Sequence, residues 1–209
     1  MTRRPPRLGP GRPEDELAER AVLQAVDLPG GGWDADPPDP ADAAAATAAD
    51  DLDACLGAFP QDAVVASADS ARFTRGDALA YSVAWVLSDV AAAGAAARAL
   101  ADATFARCFA DRVAAAVDPA TGAAELLGHV VAAAEPLPLP GSAAPTATAH
   151  TLRLTAATPG AVFDVHLHIV VVARGRLATA VFLADTPEPV PAGDLAAVAG
   201  RVRLRVPDA

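Results

Sequence analysis

The chain has 209 residues, of which 53% are hydrophobic and 4% aromatic, and its formal net charge is −10 at pH 7. This acidic balance argues against a nucleic-acid partner, because phosphate binding needs clustered positive charge. No stretch approaches the roughly 20 apolar residues that span a bilayer, and the N-terminal arginines are not followed by the apolar segment of a signal peptide. As written, the sequence predicts a cytoplasmic chain without a membrane-spanning segment.

The first elements are predicted from proline, glycine and charge. Residues 1–12 are expected to be a disordered tail, since they contain little to bury, and 13–206 are expected to form a single domain. Pro13 begins a helix with acidic residues in its first turn, where the helix dipole favours them. The apolar spacing extends this helix to Leu28.

A glycine run ending at Trp33 follows the first helix. Trp33 is expected to cover the core, with stacking on a ligand as the less favoured alternative. Residues 34–49 are predicted to be an acidic loop rich in proline and alanine. A short helix over Asp50–Gly57 then carries Cys55 in its last turn.

Two short strands, Ala63–Ala68 and Ala71–Thr74, lead to a turn at Gly76-Asp77. The turn leads into the clearest period-two strand of the chain, Leu79–Leu87. Its large side chains share one face, which should lie on the following helix: Leu79, Tyr81, Val83, Trp85 and Leu87.

The alanine-rich stretch Ser88–Val117 predicts one long central helix. Ser88 or Asp89 can cap it, because a short side-chain oxygen accepts from a free backbone N–H. Its packing face includes Phe105, Cys108 and Phe109 at helical spacing.

The C-terminal half reads as strands and a closing helix. A strand within 123–134 contains Gly128 as a bulge or close approach, and 136–149 are predicted to be a proline-rich loop. Further strands are a short one at Thr151–Ala156 and an antiparallel hairpin that turns at Arg174-Gly175. Pro191 begins a final helix with Leu195, Val198, Ala199 and Val202 facing inward.

Helices and strands do not alternate singly, so the class is expected to be α+β. The predicted architecture is a twisted antiparallel sheet packed against the long central helix and against the N- and C-terminal helices.

One strand of the hairpin carries Asp164, His166 and His168 on the same face. Two imidazoles at i and i+2 with a carboxylate could hold an open zinc site. The favoured interpretation is the polar, solvated face of a half-buried strand, so neither a metal nor another cofactor is expected. The alternative is a small metal-dependent hydrolase.

The two cysteines leave two possibilities open. In a cytoplasmic protein both would be buried thiols, whereas in an exported protein Cys55 and Cys108 would form a single disulfide.

The order of several short motifs resembles a known family. These motifs are Asp27–Trp33 at the end of the first helix, Ala54–Gly57, Ala106–Phe109 and the turn Arg174–Arg176. Together they resemble the actinobacterial sensor-like domains of the PknH extracellular type and the related LpqN-type lipoproteins, which share a PsbP-like α/β sandwich. The PknH type has a second cysteine pair that this chain lacks.

The resemblance implies a disulfide between Cys55 and Cys108 and a position outside the cytoplasmic membrane. It also implies a non-enzymatic domain that binds an unidentified small molecule or protein in a cleft between sheet and helices. The candidates for lining that cleft are Trp33, Tyr81 and Trp85, which are equally good core residues. An acidic protein-interaction module, with affinity that falls as salt rises, is a further alternative.

Overall fold

The computed structural model describes residues 11–36, 54–116, 125–132, 134–137, 147–158, 160–185 and 188–205. Its helices are α1 (Pro13–Ala21), α2 (Val90–Leu100), α3 (Ala103–Ala116) and α4 (Ala192–Leu204). The N-terminal strands are β1 (Asp34–Asp36), β2 (Val64–Asp69), β3 (Arg72–Arg75) and β4 (Ala78–Leu87). The others are β5 (Glu125–Val131), β6 (Glu135–Leu137), β7 (Ala147–Thr158), β8 (Ala161–Arg174) and β9 (Leu177–Asp185).

The strands form one nine-stranded sheet in the order β1-β3-β4-β9-β8-β7-β5, with β2 also beside β4 and β6 also beside β7. Every strand pairing in the described part of the chain is antiparallel. The predicted α+β class with an antiparallel sheet is therefore confirmed. The predicted irregularity at Gly128 is also present, because the pairing of β5 with β7 shifts register between Leu126 and Gly128.

Helices cover both faces of the sheet. On one face, α2 and α3 pack on a core of aromatic and aliphatic side chains that includes Trp85, Leu87, Phe105, Phe109, Leu152, Ile169 and Phe182. On the other face, the predicted inward residues of α4 are all buried against Val170, Val181 and Leu183. The last turns of α1 pack beside them on Val86 and Leu177. The central strands β4 and β9 and the second half of β8 are consequently covered on both sides.

The prediction of one long central helix is wrong, because the chain breaks between Leu100 and Ala103. The carboxylate of Asp102 accepts a hydrogen bond from the backbone N–H of Thr104 at 2.7 Å and so caps the second helix. Asp side chains compete with the helical backbone in this way. The predicted cap at the start of the first helix is present, where Asp89 accepts from the N–H of Ala92 at 2.8 Å.

Three other boundaries differ from expectation. The first helix ends at Ala21 rather than Leu28, because Leu23 leaves the helix to donate its N–H to the Ser82 hydroxyl on β4 at 2.7 Å. The expected loop at 34–49 begins with strand β1, and the expected loop at 136–149 includes the last residues of β6 and the first of β7. These strands are short or alanine-rich, so their pairing depends on neighbours rather than on their own pattern.

The tail at 1–12 lies almost entirely outside the described residues, and so do most of the two predicted loops. Within the described ranges, no helix combines the length and the apolar character needed to cross a bilayer.

Candidate functional site

A glycine turn forms the first wall of an open cleft at one edge of the sheet. Gly30, Gly31 and Gly32 have φ values of +80, +65 and +69°, which side chains with a Cβ rarely adopt. This left-handed path folds the chain back, so that the indole Nε1 of Trp33 donates to the carbonyl of Pro29 at 3.0 Å. The turn therefore fixes the orientation of the Trp33 ring.

Arg75, at the end of β3, fastens the same turn to the sheet. Its Nη1 donates to the Pro29 carbonyl at 2.7 Å, and its guanidinium carbon lies 4.6 Å from the centre of the Trp33 ring. A Cβ at Gly30 would collide with this guanidinium. The close approach of Arg75 is therefore a second reason, beside the positive φ, for glycine at this position. Arg75 belongs to the tripeptide Arg75-Gly76-Asp77, and these contacts turn its side chain toward the cleft wall.

The cleft lies between this turn, the adjoining ends of β4 and β9, and the start of α4. Its volume is about 270 Å³, and it is lined by Pro29, Gly30, Trp33, Arg75, Ala78, Leu183, Ala184, Asp185, Val190, Pro191 and Asp194. Leu183 and Ala78 supply a buried apolar floor. Arg75, Asp185 and Asp194 are the charged residues among those that line it.

His168 holds the wall of the cleft that precedes α4. The backbone N–H of Val190 donates to His168 Nε2 at 3.1 Å, and Nδ1 lies 3.1 Å from the Thr151 hydroxyl. Because Nε2 accepts, the neutral ring carries its proton on Nδ1 and donates it to Thr151. Burial, and secondarily the nearby His166, lowers the pKa of His168 to about 4. The hydrogen bonds of His168 are thus made by the neutral imidazole.

The expectation that Asp164, His166 and His168 form a solvated face is wrong for His168, which is only 2% exposed. The reason is that the segment before α4 covers its end of the strand. Asp164 instead accepts from the Thr155 hydroxyl at 2.7 Å. Among the described residues, no group of three His, Cys, Asp or Glu side chains is arranged to hold a metal.

The three aromatic candidates do not line one cleft. Trp33 packs against the core on the α4 side of the sheet. Tyr81 and Trp85 project from the other face of β4, where Tyr81 stacks on Phe182 at 4.6 Å and Trp85 packs on Phe59 at 5.0 Å. Successive side chains of a strand point to opposite faces, so Tyr81 and Trp85 belong to the core beneath α2 and α3.

A disulfide joins Cys55 to Cys108 across 53 positions, with their Cα atoms 5.5 Å apart. It fastens the short helical turn around Cys55 to the middle of α3. Leu56 and Phe59, which follow Cys55, are buried in the core on that face of the sheet. The disulfide therefore ties this segment and its buried side chains to α3.

Sequence reasoning missed Arg75, Asp185 and Asp194 as cleft residues. In the sequence, Arg75 is only a residue beside the Gly76-Asp77 turn. Asp194 is only an acidic residue in the first turn of a predicted helix. Asp185 ends a strand. Nothing local distinguishes them, because the cleft forms where three segments remote in sequence meet.

No protein-family model matches the chain, and no curated protein matches it. Among solved structures, the extracellular domain of PknH from Mycobacterium tuberculosis is similar at a TM-score of 0.44 and 10% identity, over 91% of this chain and 96% of that one.

Proposed function

We propose that this protein is a non-enzymatic, sensor-like domain of the cell envelope that binds a small ligand in the cleft between Trp33 and Asp194. The observation that carries the proposal is the preformed cleft wall. One carbonyl, that of Pro29, accepts from both Trp33 and Arg75. A wall that is fixed before binding reduces the ordering cost that a ligand must offset.

The hydrogen bonds of Arg75 and His168 support a structural role in the cleft wall for these two side chains rather than a catalytic one. Arg75 is committed to backbone carbonyls, and both ring nitrogens of His168 have partners within the protein. A general base needs a free nitrogen or oxygen within reach of a substrate proton. The histidine nearest the cleft instead positions its wall.

The disulfide supports a location outside the cytoplasm. Disulfides persist in oxidising compartments and are rare where thiols are kept reduced. The bond between Cys55 and Cys108 closes a loop of 53 positions, which stabilises a protein by about 4 kcal/mol on the chain-entropy model. A location outside the cytoplasm also agrees with what the sequence resemblance implies.

The binding proposal is tested by NMR with a library of small molecules of mixed charge. We expect ligands to shift the Trp33 indole N–H and the amides of Gly30, Gly31 and Gly32, while the Trp85 indole N–H serves as an internal control. Ligands that move only Trp85, or no ligand at all, would contradict the proposal.

The location is tested separately by counting free thiols on folded protein isolated from its native host. We expect no reactive thiol before reduction and two after reduction under denaturing conditions. Two reactive thiols in the folded, unreduced protein would rule out the extracytoplasmic assignment, and they would leave the binding proposal standing.

A further inference from the structure

We infer that one wall of the cleft is acid-sensitive, and that protonation of His168 releases the residues before α4, 188–191, from the sheet. The wall that carries Trp33 stays in place over the same pH range. Neither the release nor its test requires a ligand, so a failure here leaves the proposed binding function untouched.

The wall before α4 is joined to the sheet by a hydrogen bond to an imidazole nitrogen. The backbone N–H of Val190 donates to Nε2 of His168 at 3.1 Å, and Val190 and Pro191 line the cleft. Val190 lies between Pro189 and Pro191, and proline has no backbone N–H to donate. The N–H of Val190 is therefore the single backbone donor of these three residues, and it is committed to His168.

Protonation of His168 would remove the acceptor of this hydrogen bond. Nδ1 carries the proton of the neutral ring and lies 3.1 Å from the Thr151 hydroxyl. A proton taken up from solvent at Nε2 turns that nitrogen into a donor, so that two N–H groups would face each other. The ring is only 2% exposed, and a buried charge without compensation is costly. Movement of 188–191 away from the sheet separates the two N–H groups and admits water to the imidazolium.

The groups nearest to His168 oppose its protonation in the closed form. Burial has the largest effect, and His166 on the same strand adds to it, so that the pKa of His168 is lowered to about 4. Asp185 on β9 acts in the opposite direction but does not outweigh them. Protonation is therefore more favourable once residues 188–191 have moved and the ring is solvated.

The remaining charged groups on this side of the sheet have other positions. Arg153 on β7 pairs with His166 and lies 4.0 Å from the carboxylate of Asp164. Glu188 is exposed, and Asp194 lies in the first turn of α4. The residue of β7 that pairs with His168 is the uncharged Thr151. His168 is thus the group whose titration acts directly on the Val190 contact.

The wall around Trp33 is held by groups that do not titrate between pH 5 and pH 7. The Pro29 carbonyl accepts from the Trp33 indole and from the Arg75 guanidinium. An indole N–H is a donor only, and a guanidinium stays charged in proteins. Acid therefore acts on the wall before α4 and leaves the wall around Trp33 in place.

The size of the effect follows from the two states of His168. With a pKa of about 4 in the closed form and an ordinary value of 6.5 when the ring is solvated, linkage makes opening roughly twentyfold more favourable at pH 5 than at pH 7. The closed form is favoured fully above pH 6.5 and progressively less as the pH falls toward 4.

The test is hydrogen exchange of the Val190 amide, followed by NMR on the whole chain without ligand. Protection is expressed relative to the intrinsic exchange rate at each pH, and we expect it to fall roughly twentyfold from pH 7 to pH 5. Because local opening exposes little surface, this exchange should depend weakly on low concentrations of urea. The amide of Val181, a completely buried residue of β9, should depend steeply on urea because it exchanges through global unfolding.

His168→Gln supplies a side-chain oxygen that can accept from Val190 and does not titrate in this range. Its Val190 protection should change less than about twofold between pH 7 and pH 5. The control is Val162→Ala, an exposed change on the same strand, which should retain the full decrease. Thermal unfolding checks that each variant is folded. In the wild type, the ring nitrogens of His168 and the amide of Val190 should also titrate with one midpoint, which tests the coupling without any variant.

Three results would overturn the inference. The first is a Val190 protection in the wild type that is equal at pH 7 and pH 5. The second is an equally large decrease in folded His168→Gln. The third is a urea dependence of Val190 exchange at pH 5 as steep as that of Val181, because the loss of protection would then be global unfolding.

Discussion

Asp27 and Arg205 form an ion pair that joins the segment after α1 to the end of α4. Asp27 is 3% exposed, and its Oδ2 also accepts from the backbone N–H of Gln24 at 2.7 Å. Arg205 donates in addition to the Val22 carbonyl at 2.7 Å. These contacts hold the two terminal segments together on the side of the sheet that carries the cleft.

Replacing Asp27 with Asn should destabilise the protein by about 3 kcal/mol, because removing one partner leaves the Arg205 charge without compensation in a largely buried place. Urea unfolding of the two proteins measures the difference. Glu19→Gln, an exposed change on α1, should cost less than about 0.5 kcal/mol. Equal losses of unfolding free energy in the two variants would show that the ion pair between Asp27 and Arg205 does not stabilise the protein more than an exposed charge does.

Reduction of the disulfide should lower the free energy of unfolding by up to about 4 kcal/mol, because it releases a closed loop in the unfolded chain. Denaturant titrations with and without reductant measure this loss. The double variant Cys55→Ala, Cys108→Ala should be similarly weakened and should no longer respond to reductant. A wild-type midpoint that reductant leaves unmoved would contradict this role of the bond.

Burial of the sheet face beneath α4 is tested on β8 with two identical changes. Val170 is completely buried, whereas Val162 on the same strand is 67% exposed. Val170→Ala should cost about 2 kcal/mol from lost burial and the cavity that remains, and Val162→Ala less than about 0.5 kcal/mol. Similar costs in a thermal or urea unfolding series would argue against a helix layer over Val170.

Stability should fall on acidification through His168. Its pKa is lowered to about 4 in the folded state from an ordinary value of 6.5. Between these values the unfolded chain binds the extra proton, so the contribution is complete above pH 6.5 and disappears as the pH falls toward 4. The whole effect amounts to about 3 kcal/mol at most.

The measurement is the free energy of unfolding at several pH values between 4 and 7. His168→Gln should flatten this dependence, whereas Val162→Ala, an exposed change on the same strand that alters no titratable group, should leave it unchanged. Some slope should remain in His168→Gln, because burial also lowers the pKa of His150. An identical slope in wild type and His168→Gln would exclude His168 as the cause.

Much of the fold could be predicted where the pattern is local. The hairpin of β8 and β9 has long apolar strands around a glycine turn, and α4 shows its four inward positions at helical spacing. The break in the helix at Asp102 could not be predicted from the local pattern. Alanine favours helix throughout 88–117, and the hydrogen bond that caps α3 needs only one short side chain.

The candidate site was less accessible from sequence than the fold. Trp33 was a candidate because a lone aromatic followed a glycine run, but its partner Arg75 lies more than forty positions away, and the two meet only after β1 pairs with β3. The histidine trio suggested a shared site on one strand. The segment ending at Val190 covers His168 instead and gives it a structural role.

By itself, the sequence determined the class, the principal strands, the cap at Asp89 and much of the core, because these depend on neighbours along the chain and on periodicity. Only the tertiary structure decided that both sheet faces are covered, that Trp33 is separated from Tyr81 and Trp85, and that Arg75, Asp185 and Asp194 line one cleft. The physical reason is that burial and electrostatic environment depend on segments that are brought together by folding, and a local pattern does not specify which segments meet.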